Sequence, residues 1–271
     1  MFGISVFLNF ASLAFAGLQI IFVNFWLLKF EGLEVLAVFN FSYLVAAVGS
    51  QVSTFGVHYS LLYRLSNLKN RVTNELYSAL LIVISFSLII GLLLSLFFSV
   101  APPKPISGGV IGNILVIVFS ILIISCNKLF LAYINSKGKM TFYSIIFLVR
   151  SFLLVVGMLI HSYLFAIDHI FLIVLISEVA VLLIMILFFA MAERKQSWVT
   201  SKKLLINSVR AHLDFGRYSA MGAVAFESNV RVDSFFISIF CSVEQFSKYS
   251  FLSIIFEGLL QMFAVFRNFV N

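Results

Sequence analysis

Few ionisable residues in this 271-residue chain interrupt its apolar sequence, and those few are where chemistry is possible. Arg150 and Glu178 fall in two consecutive apolar runs, Arg217, Glu227, Arg231 and Asp233 share a third, and Lys128 and Glu257 lie in two others. A charged side chain at the centre of hydrocarbon costs ~2.5–3.5 kcal/mol on insertion scales, so each needs either a partner or a polar cavity. Lys128, Arg150, Arg217 and Arg231 have the chemistry to hold a compact anion through charge-assisted hydrogen bonds. Glu178, Glu227 and Asp233 have the chemistry to couple to protons or sodium.

Each of these also has a plainer reading. At ~1.5 Å per residue the depths of Arg150 and Glu178 differ by only ~5 Å, so they can form a structural ion pair between neighbouring helices. Glu227 and Arg231 are four apart, ~40° around a helix axis, and can bridge each other, whereas Asp233 is ~240° from Glu227 and points elsewhere. Lys128 and Arg217 have stems long enough to snorkel to the interface. Glu257 suits a basic cavity residue or helices beyond this sequence.

Enzyme chemistry finds little here. His58, His161, His169 and His212 are scattered, and there is no His-Glu-x-x-His, no Asp-x-Asp pair and no P-loop. Cys126 and Cys241 both lie in apolar stretches and suggest neither a disulfide framework nor a metal site. The expectation is a non-enzyme with no catalytic residue, no metal and no cofactor.

The elements that hold these charges are membrane helices. The chain is 62% hydrophobic and 11% charged, where a soluble domain is ~45–50% apolar and ~25% charged. Apolar runs long enough to cross a bilayer predict an all-α polytopic bundle of about eight spans, at roughly 3–28, 35–58, 76–100, 109–134, 141–164, 166–191, 213–240 and 247–266. Pro102, Pro103 and Pro105 confine the proline content to one loop. Tyr43, Tyr59, Tyr63, Tyr143 and Tyr163 fall near span ends, as in an interfacial belt.

The loops set an orientation. One alternate set holds Arg64, Lys69, Arg71, Lys137, Lys139, Arg194, Lys195, Lys202, Lys203, Arg210 and Arg267; the other holds Lys29, Lys104 and Lys248. The positive-inside rule puts both termini in the cytoplasm. Topology thus accounts for the net charge of +7, with no nucleic-acid partner. The longest polar segment, 193–212, reads as a cytoplasmic linker with interfacial-helix character between a six-helix lobe, 1–192, and the start of a second, 213–271.

An internal echo supports two lobes. Gly32 to Phe41 aligns with Ser242 to Phe251, with Glu34 matching Glu244 and Phe41 matching Phe251. An even number of spans separates the copies, which makes the repeat parallel.

The first-loop string from Lys29 to Ala37, the turn Thr54 Phe55 Gly56 Val57 followed by Arg64, and the string Asp214 Phe215 Gly216 followed by Arg231 Val232 Asp233 resemble the Wzx-type O-antigen and polysaccharide flippases. Their superfamily also holds multidrug/cation antiporters and lipid II flippases. The resemblance runs over nearly the whole chain. It implies flipping of an undecaprenyl-pyrophosphate-linked oligosaccharide, an O-antigen or capsule repeat unit, across the bacterial inner membrane by alternating access. Lys128, Arg150, Arg217 and Arg231 would then bind substrate, and Glu178, Glu227 and Asp233 would couple ions. Its partners would be the lipid-linked oligosaccharide, membrane lipid, protons or sodium, and a polysaccharide polymerase. Family members usually have twelve or more spans, so the expected eight describe one lobe and the opening hairpin of the next, as in a truncated member. The alternatives are a drug/cation antiporter of the same superfamily and a non-transporting remnant.

Overall fold

A computed structural model describes residues 2–67, 72–164, 170–194 and 202–270, with side chains described except in 2–6, 107–111, 163–164, 226–230 and 260–270. The described elements are helical: α1 (Phe2–Phe30), α2 (Leu33–Thr54), α3 (Val57–Asn67), α4 (Val72–Val100), α5 (Val110–Ser136), α6 (Met140–Leu164), α7 (Leu172–Ala192), α8 (Lys202–Phe240) and α9 (Val243–Val270), with a 3-10 turn at Lys104–Gly109. Six of them, α1, α2, α4, α5, α6 and α7, are long and apolar enough to cross a membrane. The chain is a multi-pass membrane protein. The seventh and eighth expected spans fall on α8 and α9.

Apolar side chains on α4 and α7 divide between lipid and core. Leu88, Leu92 and Leu96 of α4 and Leu183 and Leu187 of α7 are exposed, as hydrocarbon-facing positions should be. The core has two parts. One gathers α1, α2, α5 and the start of α7 around Leu27, Phe41, Ile117, Ile121 and Phe171. The other gathers α3, α4, α5 and α7 around Leu61, Leu76, Leu129, Tyr133 and Met185. The central helices are α2 and α5, each packed on five or more neighbours.

Two boundaries differ from the sequence expectation. The second span stops at Thr54 because Phe55 turns left-handed (φ 44°) and Gly56 follows at φ 67°. The basic stretch beyond is partly helical: Val57, Leu61 and Leu65 recur every four residues and bury one face of α3. Helix α8 begins at Lys202 and runs unbroken to Phe240, so the described part of the polar stretch before residue 213 is continuous with the span. Residues 195–201 lie outside the described residues.

The echo has a spatial counterpart. Helix α8 ends 210 residues after α1, and α9 starts 210 after α2. α1 packs on α9, α2 packs on α8, and α2 crosses α9. At that crossing Asn40 Nδ2 donates to Ser250 Oγ at 3.0 Å, in the core, between residues 210 apart. The reciprocal contacts of α1 with α9 and of α2 with α8 are those that a two-fold relation between the two hairpins would give. Phe41 packs edge-on against Phe246.

Candidate functional site

Along α2, residues 43, 47 and 50 share a face because each helical residue turns ~100°. That face, with Asn127 and Lys128 of α5, Arg150 of α6, Glu178 of α7 and Arg231 of α8, encloses a polar cavity of 190 Å³. Three of the four expected cations therefore converge from three helices. The first two are brought to α2 because α5 packs on both α2 and α7, and α6 on α7.

Glu178 anchors the floor. Its side chain is 1% exposed and takes Arg150 Nη2 at 2.5 Å and Nε at 2.6 Å on one oxygen, Oε1. Asn127 Nδ2 donates to the other oxygen at 2.7 Å and to the Glu178 main-chain carbonyl at 3.1 Å. Both proposed roles of Arg150 thus coexist: it is paired, and it lines the cavity. The Lys128 ammonium turns inward to Ser50 Oγ at 3.0 Å and Gln51 Oε1 at 2.8 Å, both neutral, in place of snorkelling. Arg231 Nη2 reaches Glu257 Oε2 of α9 at 3.0 Å, and its guanidinium lies 5.8 Å from the Tyr43 ring centre. A cation over an aromatic face gains ~0.5–2 kcal/mol. Among the described lining residues, three cations face one carboxylate.

The other expected residues lie apart. Arg217 is on the exposed side of α8, stacked on Tyr218 at 4.8 Å. Asp233 accepts from the Tyr249 hydroxyl and from the Ser234 N–H, away from the cavity. The Glu227 side chain lies outside the described residues. The polar cavity residues beyond those expected from the sequence are Tyr43, Ser50 and Asn127, with Gln51 as a partner of Lys128. Tyr43 was assigned to an interfacial belt, yet it lies in the cavity wall with Arg150 and Arg231. Asn127 had a signal, a polar amide inside an apolar run.

A second buried charge cluster joins α3, α4 and α8. Arg64 grips Glu75 with Nε at 2.6 Å and Nη2 at 2.8 Å. Ser208 Oγ donates to Glu75 Oε1 at 3.0 Å, and His212, fully buried, lies 3.2 Å from Glu75 Oε2 and 2.9 Å from Ser60 Oγ. Hydrogen bonding to Glu75 raises the Arg64 guanidinium above its ordinary value, in spite of burial. Close beside it, Gly216 approaches Phe55: a Cβ there would sit 2.5 Å from the Phe55 carbonyl oxygen. A third group holds the same end: the Tyr133 hydroxyl donates to Glu193 at 2.7 Å and Lys137 pairs with Glu193 at 2.8 Å. At the opposite end Lys104 donates to the Phe240 and Cys241 carbonyls, and Trp26 and Glu31 meet at Ser162.

A second cavity, of 350 Å³, borders the first. Leu44, Val45, Val48 and Val52 of α2 line it with Ile90 and Leu94 of α4 and Val232 and Phe235 of α8, and Arg231 is common to both. Among the described residues no three His, Cys, Asp or Glu side chains are grouped to hold a metal ion.

No family model matches the chain, and no curated protein matches it. Solved structures do. A MOP superfamily transporter from Pyrococcus furiosus, described as having a binding pocket of reverse polarity that suggests a different function, superposes with a TM-score of 0.59 at 14% identity, over 95% of this chain and 68% of its own. An outward-facing multidrug resistance transporter of the MATE family in the same superfamily gives 0.53 at 14%, over 95% and 68%. A MATE transporter in complex with Br-NRF gives 0.53 at 14%, over 96% and 63%. The chain has their fold and spans about two thirds of their length.

Proposed function

We propose that this chain belongs to a transporter that moves a lipid-linked oligosaccharide with a pyrophosphate head group across a bacterial inner membrane by alternating access. The observation that carries this reading is the convergence of Lys128, Arg150 and Arg231 on one cavity with Glu178 as the single described lining carboxylate. A pyrophosphate presents several anionic oxygens, and charge-assisted hydrogen bonds are worth ~1.5–3 kcal/mol each. Glu178 fixes Arg150 in place, and Ser50 and Gln51 aim Lys128, so the cations are oriented before an anion arrives. A two-fold relation between the α1–α2 and α8–α9 hairpins would supply the line about which two halves rock.

In the same reading both termini face the cytoplasm, and Glu178, Glu227 and Asp233 are available for proton or sodium coupling. Residues 1–192 form the first lobe, and α8 and α9 open the second. Arg217, outside the cavity, would meet the substrate only on its way in. A polysaccharide polymerase is the partner that would consume the flipped product.

Complementation tests the proposal. In a strain lacking the gene, chains carrying Lys128→Met or Arg231→Gln are expected to reach the membrane at normal levels and to fail to restore surface glycan. Full restoration by both variants would overturn the cationic-cavity reading. The antiporter alternative predicts drug resistance without accumulation of lipid-linked glycan in the deletion strain.

A further inference from the structure

The two cavities are complementary halves of one amphipathic site. Tyr43, Ala47 and Ser50 face the polar half, while Val45, Val48 and Val52 of the same helix face the apolar half, as an ~100° step per residue allows. Arg231 stands at the seam, lining both cavities, with its guanidinium near Tyr43. At 350 Å³ the apolar half falls within the ~300–1,000 Å³ of small-molecule pockets. Its rim is apolar and open among the described residues: Val232 in its wall is 46% exposed and Leu93, next to Leu94 on α4, is 59% exposed. A chain lying there can continue into the bilayer without crossing polar surface.

We infer that the groove between α2, α4 and α8 holds the first segment of a single apolar chain whose phosphate or pyrophosphate head lies against Arg231 in the polar cavity. The occupant is thus an anionic amphiphile, bound at both ends of its head–chain junction. Charge complementarity selects the head, and the apolar lining selects the chain. This rests on the cationic-cavity reading and adds to it: the protein contacts the lipid chain and does not leave it wholly to the membrane.

The test uses purified protein in detergent with three probes: inorganic pyrophosphate, farnesyl diphosphate and farnesol. Burial of even three methylenes is worth ~50-fold, so farnesyl diphosphate is expected to bind at least ~50-fold more tightly than pyrophosphate. Two variants on different helices, Val48→Phe and Leu94→Trp, fill the groove. Each is expected to reduce that advantage by tenfold or more while pyrophosphate affinity stays unchanged, which also reports an intact fold. Partitioning of the probe into the detergent belt is common to all the proteins and cancels. Farnesol is expected to bind at least tenfold more weakly than farnesyl diphosphate. Equal binding of pyrophosphate and farnesyl diphosphate, or a chain advantage that survives both fillings, would overturn the groove and leave the cationic cavity standing. Pyrophosphate binding that ignores Arg231→Gln and Lys128→Met would remove the cavity reading, and the groove with it.

Discussion

Glu75 and Glu178 are both 1% exposed carboxylates held by an arginine, yet their surroundings differ in kind. Around Glu75 the geometry is filled: Arg64 supplies a two-point grip, Ser208 a hydroxyl and His212 a ring, with His212 fully buried. Around Glu178 the ion pair is one wall of a cavity that two more cations enter from other helices. A filled cluster stabilises one arrangement of helices and has nowhere to take a ligand. A cluster whose three cations border open volume has the opposite character: its charges are oriented and room remains beside them. Two arginine–carboxylate pairs of nearly equal burial therefore divide into a clasp between α3, α4 and α8 and the wall of a cavity.

That contrast breaks if the variants behave alike. The largest expected effect is on the clasp. Arg64→Met strands Glu75 in the core and should cost ~3–5 kcal/mol, read as a large drop in melting temperature of the purified protein. A second change, Glu75→Leu, should recover most of the loss, because an apolar pair of similar volume needs no charge compensation. In the cavity the ranking reverses between stability and binding. Lys128→Met takes a donor from Ser50 and Gln51, neutral groups and not a buried carboxylate such as Glu75, so the melting temperature should fall less than for Arg64→Met, by about 2–4 °C. Pyrophosphate affinity should fall by ~10- to 100-fold, the equivalent of one charge-assisted hydrogen bond. If Lys128→Met destabilises as much as Arg64→Met, the distinction between clasp and cavity wall is lost.

Two smaller effects sharpen the picture. Gly216→Ala pushes a methyl group into the Phe55 carbonyl oxygen, a backbone atom that cannot turn aside, and should cost ~1–3 kcal/mol of thermal stability while leaving pyrophosphate affinity intact. At the exposed end of α9, Glu244 pairs with Lys248 in full solvent. Glu244→Ala should change neither melting temperature nor binding measurably, since such pairs hold little net free energy.

Some of the site was legible because it is local. Arg150 and Glu178 lie at similar depth on helices joined by a short connection, and helical rise alone brings them together. Glu257 was open to a basic cavity residue, and it reaches Arg231. Tyr43 was misread because aromatic residues are common at membrane interfaces, and only the placement of α8 against α2 brings Arg231 to its ring. His212 looked like one of four scattered histidines. Its role needs α8 to begin a full turn and more before the apolar run, at Lys202, and to lie on α4.

The sequence by itself determined the solvent, the apolar helices and the identity of the ionisable groups, because hydropathy, helical rise and turn residues act within a few positions of the chain. The partners of those groups were decided by tertiary structure. Lys128 turns to α2, Arg231 bridges to α9, Arg217 stays outside, and Glu75 becomes saturated while Glu178 borders open space. Pairing in hydrocarbon depends on which helix faces are pressed together, and that follows from packing over the whole bundle, between residues as far apart as Asn40 and Ser250.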